Sequence, residues 1–393
     1  MEPVKLKERF EEIYGAGGAR IFIGPGRVNL IGEHTDYNGG YVLPCALGMR
    51  SACAARLRDD GVINLASTSY PKTVSASLKD IEEYRALEWG SYQLGVACVM
   101  MRQGFEVTGC DMLFDETVPH GSGLSSSAAI EMAAALALAT FDSERTGRNI
   151  DMAGLALIAQ KAENEYVGMN CGIMDQFASA MGKKGHALLL RCSDLDYSYA
   201  PFEPERFGCS LVIANTGKPR ALVESKYNER RAQCESALAD LKRAVPNITC
   251  LADLSVKAFE EHKDAVKDET QRMRAKHVVY ENARTKQAAG LLSKGMFFEF
   301  GRLMCASHDS LRDLYEVTGR ELDALFDAAM EEEGVFGSRM TGAGFGGCTV
   351  SLVESSRTEE FIGRVSAKYT EKTGLAPEFY ISSAADGARE ERL

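Results

Sequence analysis

Residues 119–138 read Pro-His-Gly-Ser-Gly-Leu-Ser-Ser-Ser-Ala-Ala-Ile-Glu-Met-Ala-Ala-Ala-Leu-Ala-Leu. A Gly/Ser loop runs straight into a stretch, 124–140, made almost wholly of good helix formers and small residues. The first turn of such a helix presents unpaired backbone N–H groups and a partial positive charge. Glycines let that backbone approach phosphate oxygens closely, and serine hydroxyls add donors or a metal ligand. Gly121, Ser122, Gly123, Leu124, Ser125, Ser126 and Ser127 therefore form a candidate phosphate loop. A simple helix cap needs one serine; three in a row behind Gly-Ser-Gly-Leu exceed that need.

Other nucleotide loops do not fit. GxxxxGK[ST] does not occur, and neither do the HRD and DFG triplets of protein kinases. Gly342, Gly344 and Gly347 satisfy GxGxxG, but a dinucleotide fold needs a helix after that motif. The residues that follow, Cys-Thr-Val-Ser-Leu-Val, read as a strand, so the dinucleotide reading is weak.

Outward from the loop, strand-like runs recur at 20–23, 51–57, 62–66 and 110–114, with an amphipathic helix at 4–14 and a further helix at 92–101. Leu6, Phe10 and Ile13 share one face of the first helix. A helix at 153–166 and strands at 187–190 and 209–214 come next. Residues 222–330 read as mostly helical; strands return at 349–353 and 379–381 around a helix at 358–369. Two prolines near 201–207 interrupt the pattern. The order predicts two α+β domains, 1–205 and 206–393.

Composition narrows the class. The 393 residues are 45% hydrophobic and 26% charged, a globular balance without signs of disorder. A net charge of -11 repels nucleic acid and anionic lipid, and no basic patch offsets it, so neither is expected as a partner. The start, MEPVKLKERFEEIYG, has no apolar signal core, and the longest apolar run, Met132 to Phe141, is too short to span a bilayer. The 11 cysteines form no CxxC pair and read as reduced buried thiols of a cytoplasmic protein.

Two segments are dense in functional groups. Arg27 and Glu33 interrupt an apolar Val-Asn-Leu-Ile-Gly run, and His34, Thr35 and Asp36 follow. Recognition of sugar hydroxyls needs such clustered donors and acceptors. A solvated turn explains Asn38-Gly39 but not the charges inside the apolar run. Asp175 sits among Met174, Phe177 and Met181, where a carboxylate is costly unless paired, and Arg27 is its natural partner by type. Glu163, judged alone, reads as a solvated helix carboxylate. His120, His186, His262, His277 and His308 show no metal-ligand spacing.

Taken together, the segments resemble the galactokinase family, in the wider group that holds homoserine, mevalonate and phosphomevalonate kinases. GRVNLIGEHTDYNGGYVLP at 26–44 resembles the family signature nearly letter for letter. GSGLSSSAAIE at 121–131, CGIMDQ at 171–176, SKYNERR at 225–231 and SRMTGAGFGGCTV at 338–350 resemble the other blocks, in family order. Gly24 departs from the usual alanine, and His120 from a common apolar residue.

The resemblance implies a ribosomal-protein-like first half, a ferredoxin-like second half and an active site in the cleft between them. It implies that Glu33, His34, Thr35, Asp36, Gly172 and Tyr227 line a sugar pocket and that Arg27 and Asp175 flank the reacting anomeric hydroxyl. Gly121 to Ser127 would wrap the ATP phosphates, Ser127 and Glu163 would hold Mg²⁺, and Ser67 and Trp89 would lie near the base. The final Gly-rich motif would pack on the phosphate loop. The implied reaction is in-line transfer of the γ-phosphoryl group of ATP to galactose, giving galactose 1-phosphate and ADP, with Asp175 taking the hydroxyl proton. Alternatives are a kinase for N-acetylgalactosamine or arabinose, and a non-catalytic galactose/ATP sensor. In such sensors the serine-alanine part of the loop is shortened; here Ser125 to Ala129 is intact.

Overall fold

The computed structural model describes residues 1–86, 89–218 and 223–392. Leu222, the start of the expected helical region, lies outside the described residues. The first half is built on strands β1 (Arg20–Asn29), β2 (Tyr41–Val42), β3 (Pro44–Leu57), β4 (Val62–Ser67), β5 (Val74–Ser77) and β6 (Cys110–Glu116). Its helices are α1 (Pro3–Tyr14), α2 (Ser91–Arg102), α3 (Ser126–Thr146), α4 (Met152–Ala162) and α5 (Met174–Met181). Strand β7 (His186–Arg191) pairs with β2 on one side and with β8 (Asp196–Pro201) on the other, in a three-stranded sheet.

The second half runs β9 (Cys209–Asn215), α6 (Val223–Ala244), α7 (Val256–His262), α8 (Glu269–Leu292), α9 (Phe297–Ser310), α10 (Gly319–Met330), β10 (Val335–Thr341), β11 (Cys348–Glu354), α11 (Thr358–Thr373) and β12 (Glu378–Ser382). Its sheet has the order β10-β11-β9-β12 and is antiparallel throughout. Strands two, three, one and four of a β-helix-ββ-helix-β unit thus lie side by side, the ferredoxin-like arrangement. A last strand, β13 (Arg389–Glu391), returns to the first half and extends its sheet to β13-β1-β3-β6-β4-β5. A division of the chain at one point omits that return.

Side-chain alternation makes both sheets two-sided. Ile21 and Ile23 face α1, packing with Leu6 and Phe10, while Phe22 faces the core under α2, α3 and α4. Ile13, expected on the same face as Leu6 and Phe10, is exposed. In β9, Leu211 and Ile213 join the core that reaches across to the first half, and Val212 and Ala214 pack against α10 and α11. Among the described residues no helix is long and apolar enough to cross a membrane.

One difference from the sequence reading positions the site. The strand read at 20–23 does not stop at the Gly-rich, polar segment that follows it: β1 runs through Gly24-Pro-Gly-Arg27 to Asn29, paired with β3 and bulged between Pro25 and Arg27. The glycines serve close packing here. A Cβ on Gly24 would come within 2.0 Å of the Ala129 carbonyl oxygen, and one on Gly26 within 2.8 Å of that of Leu124. Helix α3 therefore lies against the strand backbone, and the turn before α3 meets Arg27.

The Gly-rich segment 342–347 joins β10 to β11 as a hairpin, so it opens no helix and the dinucleotide reading falls.

Candidate active site

Arg27 is buried at the end of the bulge in β1. Its backbone N–H donates to the Leu124 carbonyl at 3.1 Å, and its Nη1 donates to that of Gly123 at 2.6 Å. The rest of the guanidinium grips Asp175 in the first turn of α5: Nε reaches Oδ1 at 2.8 Å and Nη2 reaches Oδ2 at 2.7 Å. This two-pronged geometry is the strong form of an arginine–carboxylate pair. Ser125, in the left-handed region at φ 61°, donates its hydroxyl to Asp175 Oδ2 as well. The loop before α3, the strand and α5 are thus locked at one point.

Around this point lies a cavity of about 230 Å³ lined from both halves. Glu33, His34 and Asp36 enter from the turn after β1, Gly172 from the approach to α5, and Tyr227 from α6. Gly121, Gly123, Ser125, Ser126, Ser127 and Glu163 line the other side, and Gly342 and Ala343 roof it. Gly172 is required: a Cβ there would stand 1.8 Å from Asp36 Oδ2. Glu33 accepts from the Gly342 N–H at 2.7 Å. His34 is held at Nδ1 by the Tyr37 hydroxyl at 2.9 Å and at Nε2 by the Ala343 carbonyl at 3.3 Å. The Tyr227 ring packs beside those of His34 and Tyr37.

Three residues expected at the main cavity turn their side chains elsewhere. The Thr35 hydroxyl bonds to the carbonyls of Gly32 and Tyr41, each at 2.8 Å, so it shapes the turn and does not line the cavity. Ser122 bonds the Pro119 carbonyl at 2.7 Å, and Leu124 is fully buried in the core. A loop that winds tightly must spend some of its side chains on itself, and only its remaining groups are left to face a ligand.

A second cavity begins on the far side of Ser126 and Ser127. Trp89 lines it, stacked on Tyr70 with centroids 5.7 Å apart and planes 5° from parallel. Tyr92, Glu116, His120 and Ile130 complete it, with His120 Nε2 2.9 Å from Glu116 Oε2. Ser67 ends β4 and accepts from the Ser69 N–H at 3.1 Å; it lines neither cavity. Tyr70, three residues on, lines the second cavity instead. An aromatic slot of this kind offers ring faces on which a planar base can stack.

Burial and like charge set the electrostatics of the main cavity. Burial, with Asp175 and Glu33 nearby, pushes Asp36 up to about 7. Burial and Asp175 push Glu163 up to about 7. Burial and Glu163 raise Glu131 well above the usual carboxylate range. Burial, together with His277 and nearby arginines, lowers His34 to about 3, so its imidazole is neutral. Four carboxylates and one guanidinium line the cavity, an excess of negative charge that calls for a cation if a triphosphate is to enter.

Glu163 corrects the solvated-carboxylate reading. It is buried at the π-turn after α4 and accepts from Gln176 Nε2 at 2.6 Å. The same Nε2 reaches Glu131 at 3.1 Å, and Glu131 Oε1 and Gln176 Oε1 have no partner among the described residues. Glu131 escaped the sequence reading, although one charge inside Ser-Ala-Ala-Ile-Glu-Met-Ala-Ala-Ala carries the same signal that singled out Asp175. His277, read as structural or solvated, is buried and its Nε2 lies 3.1 Å from the Glu33 carbonyl.

Comparison with known proteins agrees with this geometry. The chain matches the galactokinase galactose-binding signature over residues 8–57, the GHMP kinases N terminal domain over 91–183 and the GHMP kinases C terminal domain over 288–371. It is 48% identical to the galactokinase of Clostridium tetani, covering 98% of this chain and 97% of that one. It is 46% identical to the galactokinase of Bacillus subtilis, covering 98% of each. Its fold is similar to that of Lactococcus lactis galactokinase complexed with galactose, with a TM-score of 0.94, 40% identity and 99% of both chains covered. The mevalonate kinase of Methanococcus jannaschii, at 19% identity and a TM-score of 0.64, shares the fold. The chain belongs to the galactokinase family of the GHMP kinases.

Proposed function

We propose that this chain transfers the γ-phosphoryl group of ATP to the anomeric hydroxyl of D-galactose. The observation that carries the reading is the Arg27–Asp175 pair seated against the turn that opens α3. Sugar hydroxyls would be held by Glu33, His34, Asp36 and Tyr227, with the Gly172 backbone close by. The ATP phosphates would lie along the backbone from Gly121 to Ser127 and its serine hydroxyls. The purine would enter the slot of Trp89 and Tyr70.

Transfer of a phosphoryl group rests on positioning and charge stabilisation more than on covalent help from the protein. The anomeric oxygen forms a bond to the γ-phosphorus as the bond to the bridging oxygen breaks, and ADP leaves. Asp175 takes the hydroxyl proton. Its carboxylate offers about four lone-pair sites. Arg27 and Ser125 occupy three of them, so one direction stays open and sets the hydroxyl in line. Arg27, held between Asp175 and the Gly123 carbonyl, meets charge that grows on the transferring group.

Ser127 and Glu163 would hold Mg²⁺. The fit is chemical: an oxygen pair beside the phosphate path suits an ion that takes its remaining ligands from phosphates and water, and a raised Glu163 carboxyl gains most from a cation. An ion held by these two residues would supply positive charge against the phosphate oxygens.

The test is purified protein with ATP and Mg²⁺ against a panel of free sugars, including N-acetylgalactosamine and arabinose, with the phosphorylated position read by NMR. Phosphorylation of galactose at its anomeric carbon is expected. Preference for another sugar would move the substrate, and sugar-independent loss of ATP, or none, would overturn the reading.

A further inference from the structure

Arg339 lies on β10, in the second half, and is fully buried. It lines neither cavity. Its Nη1 donates to the Asn29 carbonyl at 2.9 Å and lies 3.3 Å from Glu33 Oε1. Its Nε reaches Ser307 Oγ at 3.3 Å. Ser307 donates to Glu281 Oε1 at 2.5 Å, and the same oxygen accepts the Gly32 N–H at 3.0 Å. One arginine therefore ties down both ends of the turn 29–33, its carboxylate directly and its Gly32 amide through two side chains.

The use of Glu33 is asymmetric. Oε1 accepts from Arg339 and from the Gly342 N–H, both groups of the second half. Oε2 is the oxygen left for the cavity that Glu33 lines. A carboxylate with one oxygen fastened by a guanidinium and an amide has a single rotamer to present. Burial of an arginine is costly unless it is paired. Placing one here, away from the cavity, has a specific effect: it sets where Glu33 Oε2 points.

We propose that Arg339 is a positioning residue for the sugar, acting by holding the turn 29–33 and the Glu33 carboxylate in register with the second half. The proposal rests on the reading that Glu33 contacts the sugar. It makes the second half a contributor to sugar affinity through a residue that never touches substrate.

The variants are Arg339→Met, which removes charge and donors, and Arg339→Lys, which keeps charge but cannot span Asn29 and Ser307 together. Glu33→Gln is the reference. Initial rates with galactose and ATP varied separately give the two KM values. Loss of a charge-assisted bond that orders Glu33 corresponds to about a 10- to 100-fold change. Arg339→Met is expected to raise the galactose KM by that factor and the ATP KM by less than about twofold, with partial recovery in Arg339→Lys. Galactose should also raise the melting temperature of the variants less than that of the parent. If Arg339→Met does not fold, Arg339→Lys carries the test alone with an intermediate rise in galactose KM. Lower stability with an unchanged galactose KM, or equal rises in both KM values, would overturn the proposal and leave the sugar reading intact, provided Glu33→Gln is impaired. An unimpaired Glu33→Gln would sink the reading of Glu33 and the proposal with it.

Discussion

Asparagine at position 175 keeps the shape of the side chain and removes one charge and one acceptor. In the protein Asp175 receives three hydrogen bonds: Arg27 Nε at 2.8 Å, Arg27 Nη2 at 2.7 Å and the Ser125 hydroxyl. An amide offers one oxygen, and Ser125 shares Oδ2 with Arg27 Nη2, so an N–H of the variant faces a guanidinium N–H in either orientation. Ser125 can turn its hydroxyl to accept; the arginine cannot. Arg27, whose side chain is only 4% exposed, then retains the Gly123 carbonyl at 2.6 Å and a single bond to residue 175. Breaking a buried ion pair costs about 3–5 kcal/mol. Asp175 is 28% exposed and the amide keeps one bond, so a loss of about 2 kcal/mol in stability is expected. Turnover loses its proton acceptor and the in-line orientation together, a fall of about 10³-fold in kcat. The galactose KM should change by only several-fold, because the sugar contacts proposed for Glu33, His34 and Asp36 do not involve residue 175. The assay is ADP release at saturating substrates, well below the melting temperature, with the folded fraction checked by circular dichroism. Turnover within about tenfold of the parent in a fully folded variant would refute the role given to Asp175.

Gly172→Ala should raise the galactose KM by about tenfold or more with the ATP KM unchanged, since the new methyl group would stand 1.8 Å from Asp36 Oδ2 and must displace it. Trp89→Ala should do the converse, raising the ATP KM about tenfold by removing the stack on Tyr70; a change in galactose KM instead would reassign the slot. For pH, Glu281 is decisive. Burial pushes its carboxyl up, but Arg284, His277 and Arg339 outweigh burial and hold it at about 2. A carboxyl with a lowered folded pKa stabilises fully above its unfolded value and loses that contribution as pH falls toward the folded one. Urea midpoints between about pH 6 and about pH 3 should therefore fall in the parent and fall less in Glu281→Gln.

Both halves of the site were visible as local patterns. The run Gly121 to Ser127 before an Ala-rich helix declares a helix start made for phosphate, because amide exposure and glycine freedom are properties of neighbouring residues. Charges within Val-Asn-Leu-Ile-Gly, and Asp175 among apolar residues, declare that something must pair with them. The strand through Gly24-Pro-Gly-Arg27 was hidden, since Gly24 answers to a helix far along the chain, and Gly26 to the turn before that helix, rather than to a turn of their own. Ser67 and Thr35 were placed by resemblance; their side chains are spent on local backbone, and Tyr70 takes the slot beside Trp89.

What sequence alone determined about this protein is therefore chemistry by residue type: which segment offers a helix start suited to phosphate, which carries clustered acceptors and donors, and which charges need partners. Only tertiary structure decided the pairings. Arg27 meets Asp175 across 148 positions of chain, and Arg339 meets Glu33 across 306. Helical and strand periodicities report the next few residues and nothing of what packs on the opposite face. The cost of leaving a buried charge alone says that a partner exists, and the packing of two separate sheets and their helices settles which one it is.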